Sequence, residues 1–280
     1  MDARPELIPE VAVPIAPGVR RIVAGNAGMM TGPGTNTYVL GTDELTVLDP
    51  GPVDERHLAA ILLVAPQPRY ILVTHTHRDH SPLAAKLAAC TGAQIIGLPA
   101  PQDGRQDESF IPQRTPQEGE RLSLGDIELI AIHTPGHASN CVCYLLERER
   151  LLFTGDHVLQ GVSPVILPPD GDMSAYFASL DKLLSYDFEC IAPGHGTVMA
   201  EGKRVVAALR AHRQQREDKV LLHLSRLGAA TLDTLTPPVY DDVPVERHSW
   251  ARLTLEAHLI KLRRDGKVSE QRGTWQALPA

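Results

Sequence analysis

The sequence predicts an α/β (α+β) layered protein with a small helical region at its C-terminal side, and three observations carry that prediction. Short β-prone runs from residue 19 to 48 give way to alternating strands and helices up to residue 96, the pattern of a layered fold. A second group of apolar strands occupies residues 127–192. Beyond Gly202 the composition turns helical and basic, which divides the chain into residues 1–202 and 203–280.

The first strands, 20–23, 37–40 and 45–48, are separated by glycine-rich turns and end at Asp49-Pro50-Gly51, as antiparallel strands do. Asp54 can cap a helix to residue 64, because Leu58, Ile61 and Leu62 share one face and Pro66 and Pro68 stop it. Tyr70-Ile71-Leu72-Val73 reads as a fully buried strand, followed by a helix over 82–89 and a strand over 94–96. Residues 99–120, rich in Pro, Gln, Asp and Glu, predict a surface excursion. Strands at 127–132, 142–146 and 151–153 precede a proline-containing stretch over 157–171, an amphipathic helix over 173–185 and a strand over 189–192. A long helix with a polar middle (210–219) then ends in Val220, Leu221, Leu224 and Leu227. A short helix over 231–235, a break at Pro237-Pro238, a helix over 246–264 and a hairpin over 267–278 turning at Gly273 complete the chain. Three helices and a two-stranded wing are the order of a winged helix-turn-helix.

The chain has 280 residues, 43% hydrophobic and 22% charged, which supports a sizeable core and excludes disordered, collagen-like and disulfide-dense classes. No run approaches the roughly 18 consecutive apolar residues of a membrane span, and Met1–Glu6 lacks the basic start of a signal peptide. The expected location is the cytoplasm, away from membranes. Cys90, Cys141, Cys143 and Cys190 form no Cys-x-x-Cys pair and are expected to be reduced and mostly buried. The net charge of -7 argues against a general nucleic-acid-coating protein. It is unevenly placed, since residues 201–280 hold 14 basic against 10 acidic side chains.

The most informative residues are Thr74-His75-Thr76-His77-Arg78-Asp79-His80, directly after the buried strand. Three further strand ends each carry one metal-ligating side chain: Gly136-His137, Gly155-Asp156 and Gly194-His195. In an α/β sheet, strand ends on one edge converge on a shared crevice. Imidazoles and carboxylates are the ligands zinc takes where thiolates are absent. Five histidines and two aspartates exceed what one tetrahedral ion needs and suit two metals with a bridging carboxylate. No Gly-x-Ser-x-Gly elbow or phosphate-binding loop is present, so the expected nucleophile is a metal-bound hydroxide. His57, His212, His223 and His258 are expected to be surface or packing residues, and His157 could line the site.

This arrangement resembles the metallo-β-lactamase superfamily over residues 15–200. The resemblance implies an αββα sandwich with the dinuclear site at one edge. It implies that His75, His77 and His137 hold the first metal, that Asp79, His80 and His195 hold the second, and that Asp156 bridges. It also implies two Zn2+, with Fe or Mn as alternatives in either site, and a supporting role for Asp49. The Ser81-Pro82 that follows His80 departs from the family, where a residue followed by two glycines is common. Gly34-Thr35-Asn36-Thr37-Tyr38, the helix over 172–184 and the winged-helix region resemble the lactamase-β-like branch that includes an endoribonuclease.

Two function classes follow. One is a phosphodiesterase on single-stranded RNA, supported by the basic C-terminal region and the branch resemblance, with Arg252, Arg263, Arg264, Lys267 and Arg272 as phosphate contacts. The other is a thioester, lactone or β-lactam hydrolase of glyoxalase II-like chemistry, supported by the acidic catalytic half and the apolar loop 162–167. Asp79 is the expected catalytic residue in both, orienting the nucleophile. The C-terminal region would serve RNA binding or a homodimer contact.

Overall fold

Each central strand sends alternate side chains into two different cores, and that alternation builds the architecture. The computed structural model describes residues 7–102 and 104–279. Met1–Glu6, on which the expectation of no signal peptide rested, lie outside the described residues. Two compact units are present: Met1–Thr134, Asn140–Ser163 and Tyr186–Lys203 form the first, and Pro135–Ser139, Pro164–Ser185 and Arg204–Ala280 the second.

In the first unit, β1 (Val13–Ala16), β2 (Val19–Val23), β3 (Asn36–Leu40), β4 (Thr46–Leu48), β5 (Tyr70–Leu72) and β6 (Gln94–Ile96) form one sheet in sequence order. The second sheet has the order β11-β10-β9-β8-β7, made from β7 (Arg121–Leu124), β8 (Ile127–His133), β9 (Val142–Leu146), β10 (Leu151–Gly155) and β11 (Cys190–Pro193). Tyr38, Leu40, Leu48 and Leu72 of the first sheet meet Leu129, Ala131, Tyr144 and Phe153 of the second in one core. Their neighbours Val39, Val47 and Ile71 face the other way, against Leu58 and Ile61 of α1 (Glu55–Val64) and Leu83 and Leu87 of α2 (Leu83–Thr91). Asp54 caps α1, accepting from the Arg56 and His57 amides as expected.

The pairs β4·β5, β5·β6 and β10·β11 are parallel, so their carboxyl ends share an edge within each sheet. The two sheets are joined at such ends, where the Asn36 amide donates to the Gly194 carbonyl at 2.7 Å and the Val142 amide to the Thr74 carbonyl at 2.8 Å.

In the second unit, α3 (Met173–Leu183), α4 (Gly202–Leu227, in this unit from Arg204), α5 (Leu232–Val239) and α6 (His248–Arg264) accompany a sheet of order β12-β14-β13. Its strands are β12 (Ala230–Thr231), β13 (Val268–Gln271) and β14 (Thr274–Ala277). Val220, Leu224, Leu235, Leu255, Leu259, Leu262 and Trp275 form its core.

Three expectations are corrected. Pro237 and Pro238 lie inside α5 rather than breaking it. They remove two donors from a two-turn helix, while the Tyr240 amide still reaches the Thr236 carbonyl at 2.9 Å. The helix expected from residue 246 begins at His248, after a 3-10 turn at Val245–Arg247. Strands β1, β7 and β12 are additions. The 99–120 excursion lies mostly at the surface as expected, and is anchored there by the buried Gln106, Asp107 and Phe110.

Candidate metal centre

The candidate centre is built from strand ends upward. Beyond β4, Asp49 takes φ +51, a conformation few non-glycine residues adopt. Its carboxylate accepts from the Thr74 amide and hydroxyl, both at 2.7 Å, and from His80 Nδ1 at 2.9 Å. Thr74, two residues beyond β5, and His80 are thereby tied to one buried carboxylate. Because Nδ1–H donates to Asp49, Nε2 is the atom His80 could offer a metal.

His195, beyond β11, is oriented the same way. Its Nδ1 donates to the Gly34 carbonyl at 3.1 Å, which leaves Nε2 facing the centre. The Nε2 atoms of His80 and His195 are buried without a hydrogen bond among the described residues. Each lies 3.2 to 3.4 Å from Asp79 Oδ2 and 3.3 Å from Asp156 Oδ1. Two imidazole nitrogens and two carboxylate oxygens thus converge on one point, the donor set a divalent cation requires. Asp79, His80 and His195 form one such group, and His75, His77 and Asp156 assemble beside it. His75 Nε2 stands 3.0 Å from His77 Nδ1, and the rings of His75 and His80 lie 4.3 Å apart.

The electrostatics agree. Burial opposes charge on His80, yet Asp79, Asp156 and Asp49 around it hold its imidazole well above the usual range. Burial works against ionisation of Asp79 too, but His80 and His195 bring its carboxyl down to about 2. The pocket is therefore strongly attractive to positive charge. Gly194 leaves room for it, since a Cβ there would lie 2.4 Å from Asp156 Oδ1 and 2.8 Å from His80 Cε1.

His137 lies on the Pro135–Ser139 segment of the second unit, its Nδ1 2.7 Å from the Val165 carbonyl. His157 is fully buried next to Asp156. His57 and His258 are packing residues, His57 between Glu10 and Thr37 and His258 against Glu217. All four cysteines are free, and Cys90 is exposed.

Apart from Asp49, which the resemblance placed in a supporting role, sequence reasoning did not identify the residues that hold the candidate ligands in place. Thr35 donates to Asp79 Oδ2 at 3.2 Å and is itself fixed by Asn26, whose amide group makes two 2.9 Å bonds to it. Asn36 donates to the Pro193 and Gly196 carbonyls, on both sides of His195, and Tyr38 donates to Pro193. The signal was present in Gly34-Thr35-Asn36-Thr37-Tyr38: polar residues inside a buried strand must find partners. Ser81, directly after His80, donates to Asp107 at 2.6 Å and pins the excursion to the His75–His80 loop. Thr76 and Asn140 add to that anchor through Gln106 and Pro99.

In the second unit, Arg252 is paired with Asp233, Arg263 with Glu270 and Arg264 with Asp172. Three of the five expected phosphate contacts are thus engaged within the protein. No helix among the described residues is long and apolar enough to cross a membrane.

Residues 30–195 match the Metallo-beta-lactamase superfamily, and residues 231–275 match the Beta-lactamase associated winged helix domain. A relative, the Atrochrysone carboxyl ACP thioesterase of Aspergillus fumigatus, is 30% identical over 279 residues, covering 93% of this chain and 85% of that protein. The crystal structure of a Beta-lactamase domain protein from Burkholderia ambifaria shares the fold at a TM-score of 0.82 and 18% identity, over 97% of this chain and 95% of that one. A crystal structure of TTHA1623 in a di-iron-bound form has a TM-score of 0.54 and 27% identity, over 66% of this chain and 96% of that one. The chain is a hydrolase that belongs to the Metallo-beta-lactamase superfamily and carries a beta-lactamase associated winged helix domain.

Proposed function

We propose that the protein is a dinuclear metallohydrolase acting on thioesters, working in the cytoplasm. The observation that carries the substrate class is the 30% identity, along 93% of the chain, to a protein named as a thioesterase. This favours the second of the two sequence-derived classes over single-stranded RNA, as does the pairing of Arg252, Arg263 and Arg264 within the protein. In our reading residues 1–202 carry the catalysis. His75, His77 and His137 would hold one ion and Asp79, His80 and His195 the other, with Asp156 available to both. The nitrogen and oxygen donors fit zinc, with iron or manganese as alternatives, and a di-iron form of a structural relative supports two ions.

Two such ions, when bound, would supply Lewis acidity toward the acyl oxygen and make water acidic enough to attack at neutral pH. The chain's own residues do the rest. Asp79, kept ionised and steadied by Thr35, accepts a hydrogen bond from the attacking water and sets its direction. Asp49 holds the tautomer of His80, and Gly34 that of His195, so both Nε2 atoms stay aimed at the centre.

The test is a side-by-side assay of purified, metal-loaded protein on S-lactoylglutathione, on simple acyl thioesters and on single-stranded RNA. Thiol release without RNA cleavage is expected. Cleavage of RNA with every thioester left intact would overturn the proposal.

A further inference from the structure

We propose that Arg213, on α4, is a positioning residue for His137. The inference rests on the reading of His137 as a metal ligand, and every contact it uses lies within the second unit. His137 Nδ1 stands 2.7 Å from the Val165 carbonyl, which can only accept, so Nδ1 carries the hydrogen and Nε2 remains for the metal. Val165 therefore selects the tautomer, and whatever fixes Val165 fixes the ligand.

Arg213 fixes it from the adjacent peptide group. Its guanidinium donates to the Pro164 carbonyl, and the residue is only 3% exposed. The same guanidinium lies with Cζ 5.4 Å from the centroid of the Tyr176 ring. Tyr176 in turn supports the His137 loop from below, so closely that a Cβ on Gly136 would stand 2.5 Å from Tyr176 Cα. One side chain thus braces both the carbonyl beside His137's acceptor and the residue beneath its loop. The loop backbone is held separately, by the Asp172 amide to the Gly136 carbonyl at 2.9 Å and Ser179 Oγ to the Pro135 carbonyl at 2.8 Å.

Arg216, one turn further along α4, provides a contrast. It is also buried, but Asp242 meets it in a bidentate pair at 2.7 and 2.8 Å. Arg213 has no carboxylate partner among the described residues, and its Nε makes no hydrogen bond there. A guanidinium buried without a counter-charge is costly, and ion pairing does not account for its presence. The geometry accounts for it through what it holds.

The test is titration of metal-free protein with cobalt(II), following the visible absorption and the stoichiometry, and zinc affinity by competition with a chromophoric chelator. Arg213→Met should weaken one of the two ions about 10- to 100-fold, the usual scale for losing a group behind a ligand, and leave the other unchanged. Arg213→Lys, which keeps a donor, should recover most of that loss. Arg216→Met is the control and should lower the melting temperature while both ions still bind as in wild type. If Arg213→Met does not fold, Arg213→Gln, with its shorter reach, takes its place with the same expectation. His137→Ala separates the two readings. Loss of one ion in His137→Ala with wild-type binding in Arg213→Met overturns the positioning role, whereas retention of both ions in His137→Ala overturns the ligand assignment itself.

Discussion

Asp49 receives three hydrogen bonds, from the Thr74 amide, the Thr74 hydroxyl and His80 Nδ1, and an amide in its place could not accept all three. Asp49→Asn should therefore weaken metal binding about 10- to 100-fold, measured by chelator competition, with little change in which thioesters are accepted. Asp79→Asn keeps size and removes charge, so hydrolysis should fall at least about 100-fold. Assaying it with metal content measured on the same sample separates loss of the ion from loss of orientation. The histidines and aspartates that gather at the candidate centre were legible in the sequence because only a few side-chain types bind metals and they stand at strand ends. The roles of Thr35, Asn26 and Asn36 were not: the polar run at 34–38 signals that partners are needed, but a hydroxyl or amide carries no spacing signature that says which, and the partners of Thr35 and Asn36 lie far along the chain.

At the scale of elements, α6 carries a pH dependence. Burial holds the His258 imidazole down at about 4, against its bond to Glu217 and with Arg213 and Arg216 adding to the effect, while Lys261 pairs with the other Glu217 oxygen. In the unfolded chain the same group takes up a proton near pH 6.5, so between pH 6.5 and 4 the unfolded state binds more protons. Stability is present in full above that window and falls as pH drops through it, by on the order of 3 kcal/mol. Thermal melts from pH 7 to 4.5 should show this, and His258→Gln should flatten that part of the curve; an unchanged slope in the variant would refute it. Gly194→Ala pushes a methyl group toward Asp156 and His80 and should abolish high-affinity metal binding even where the fold survives. Among the elements, the long buried strands and the Asp54 cap were legible because pattern and capping chemistry agree. The run through Pro237-Pro238 was not, because two turns of helix closed by Tyr240 tolerate missing donors that a longer helix would not.

At the scale of the whole molecule, two divalent ions per chain are expected from elemental analysis of protein purified without chelator. Chelation should lower the melting temperature, since ions present at about a thousandfold over Kd stabilise by about 4 kcal/mol; one ion or none, with an unmoved melt, would contradict this. Changing Arg263, Arg264 and Lys267 to alanine should leave thioester hydrolysis intact. The two-sheet layering was legible from strand and helix order. The grouping of residues 135–139 and 164–185 with the C-terminal unit was not, since nothing local in those segments records a partner made later.

That grouping has a consequence for how the protein emerges from the ribosome. The chain passes from one unit to the other at residues 134/135, 139/140, 163/164, 185/186 and 203/204, so the second unit cannot close until its last stretch, residues 204–280, has been synthesised. At roughly 5 to 20 residues per second, α3 waits several seconds with Tyr176 and Phe177 lacking Arg210, Arg213 and Lys261, which later lie over their rings. A nascent chain in this interval leaves the apolar face of α3 uncovered, and chaperone binding should peak on ribosome-bound chains ending shortly after residue 185. A stop at residue 202 makes the wait permanent, and the shortened product should collect in the insoluble fraction.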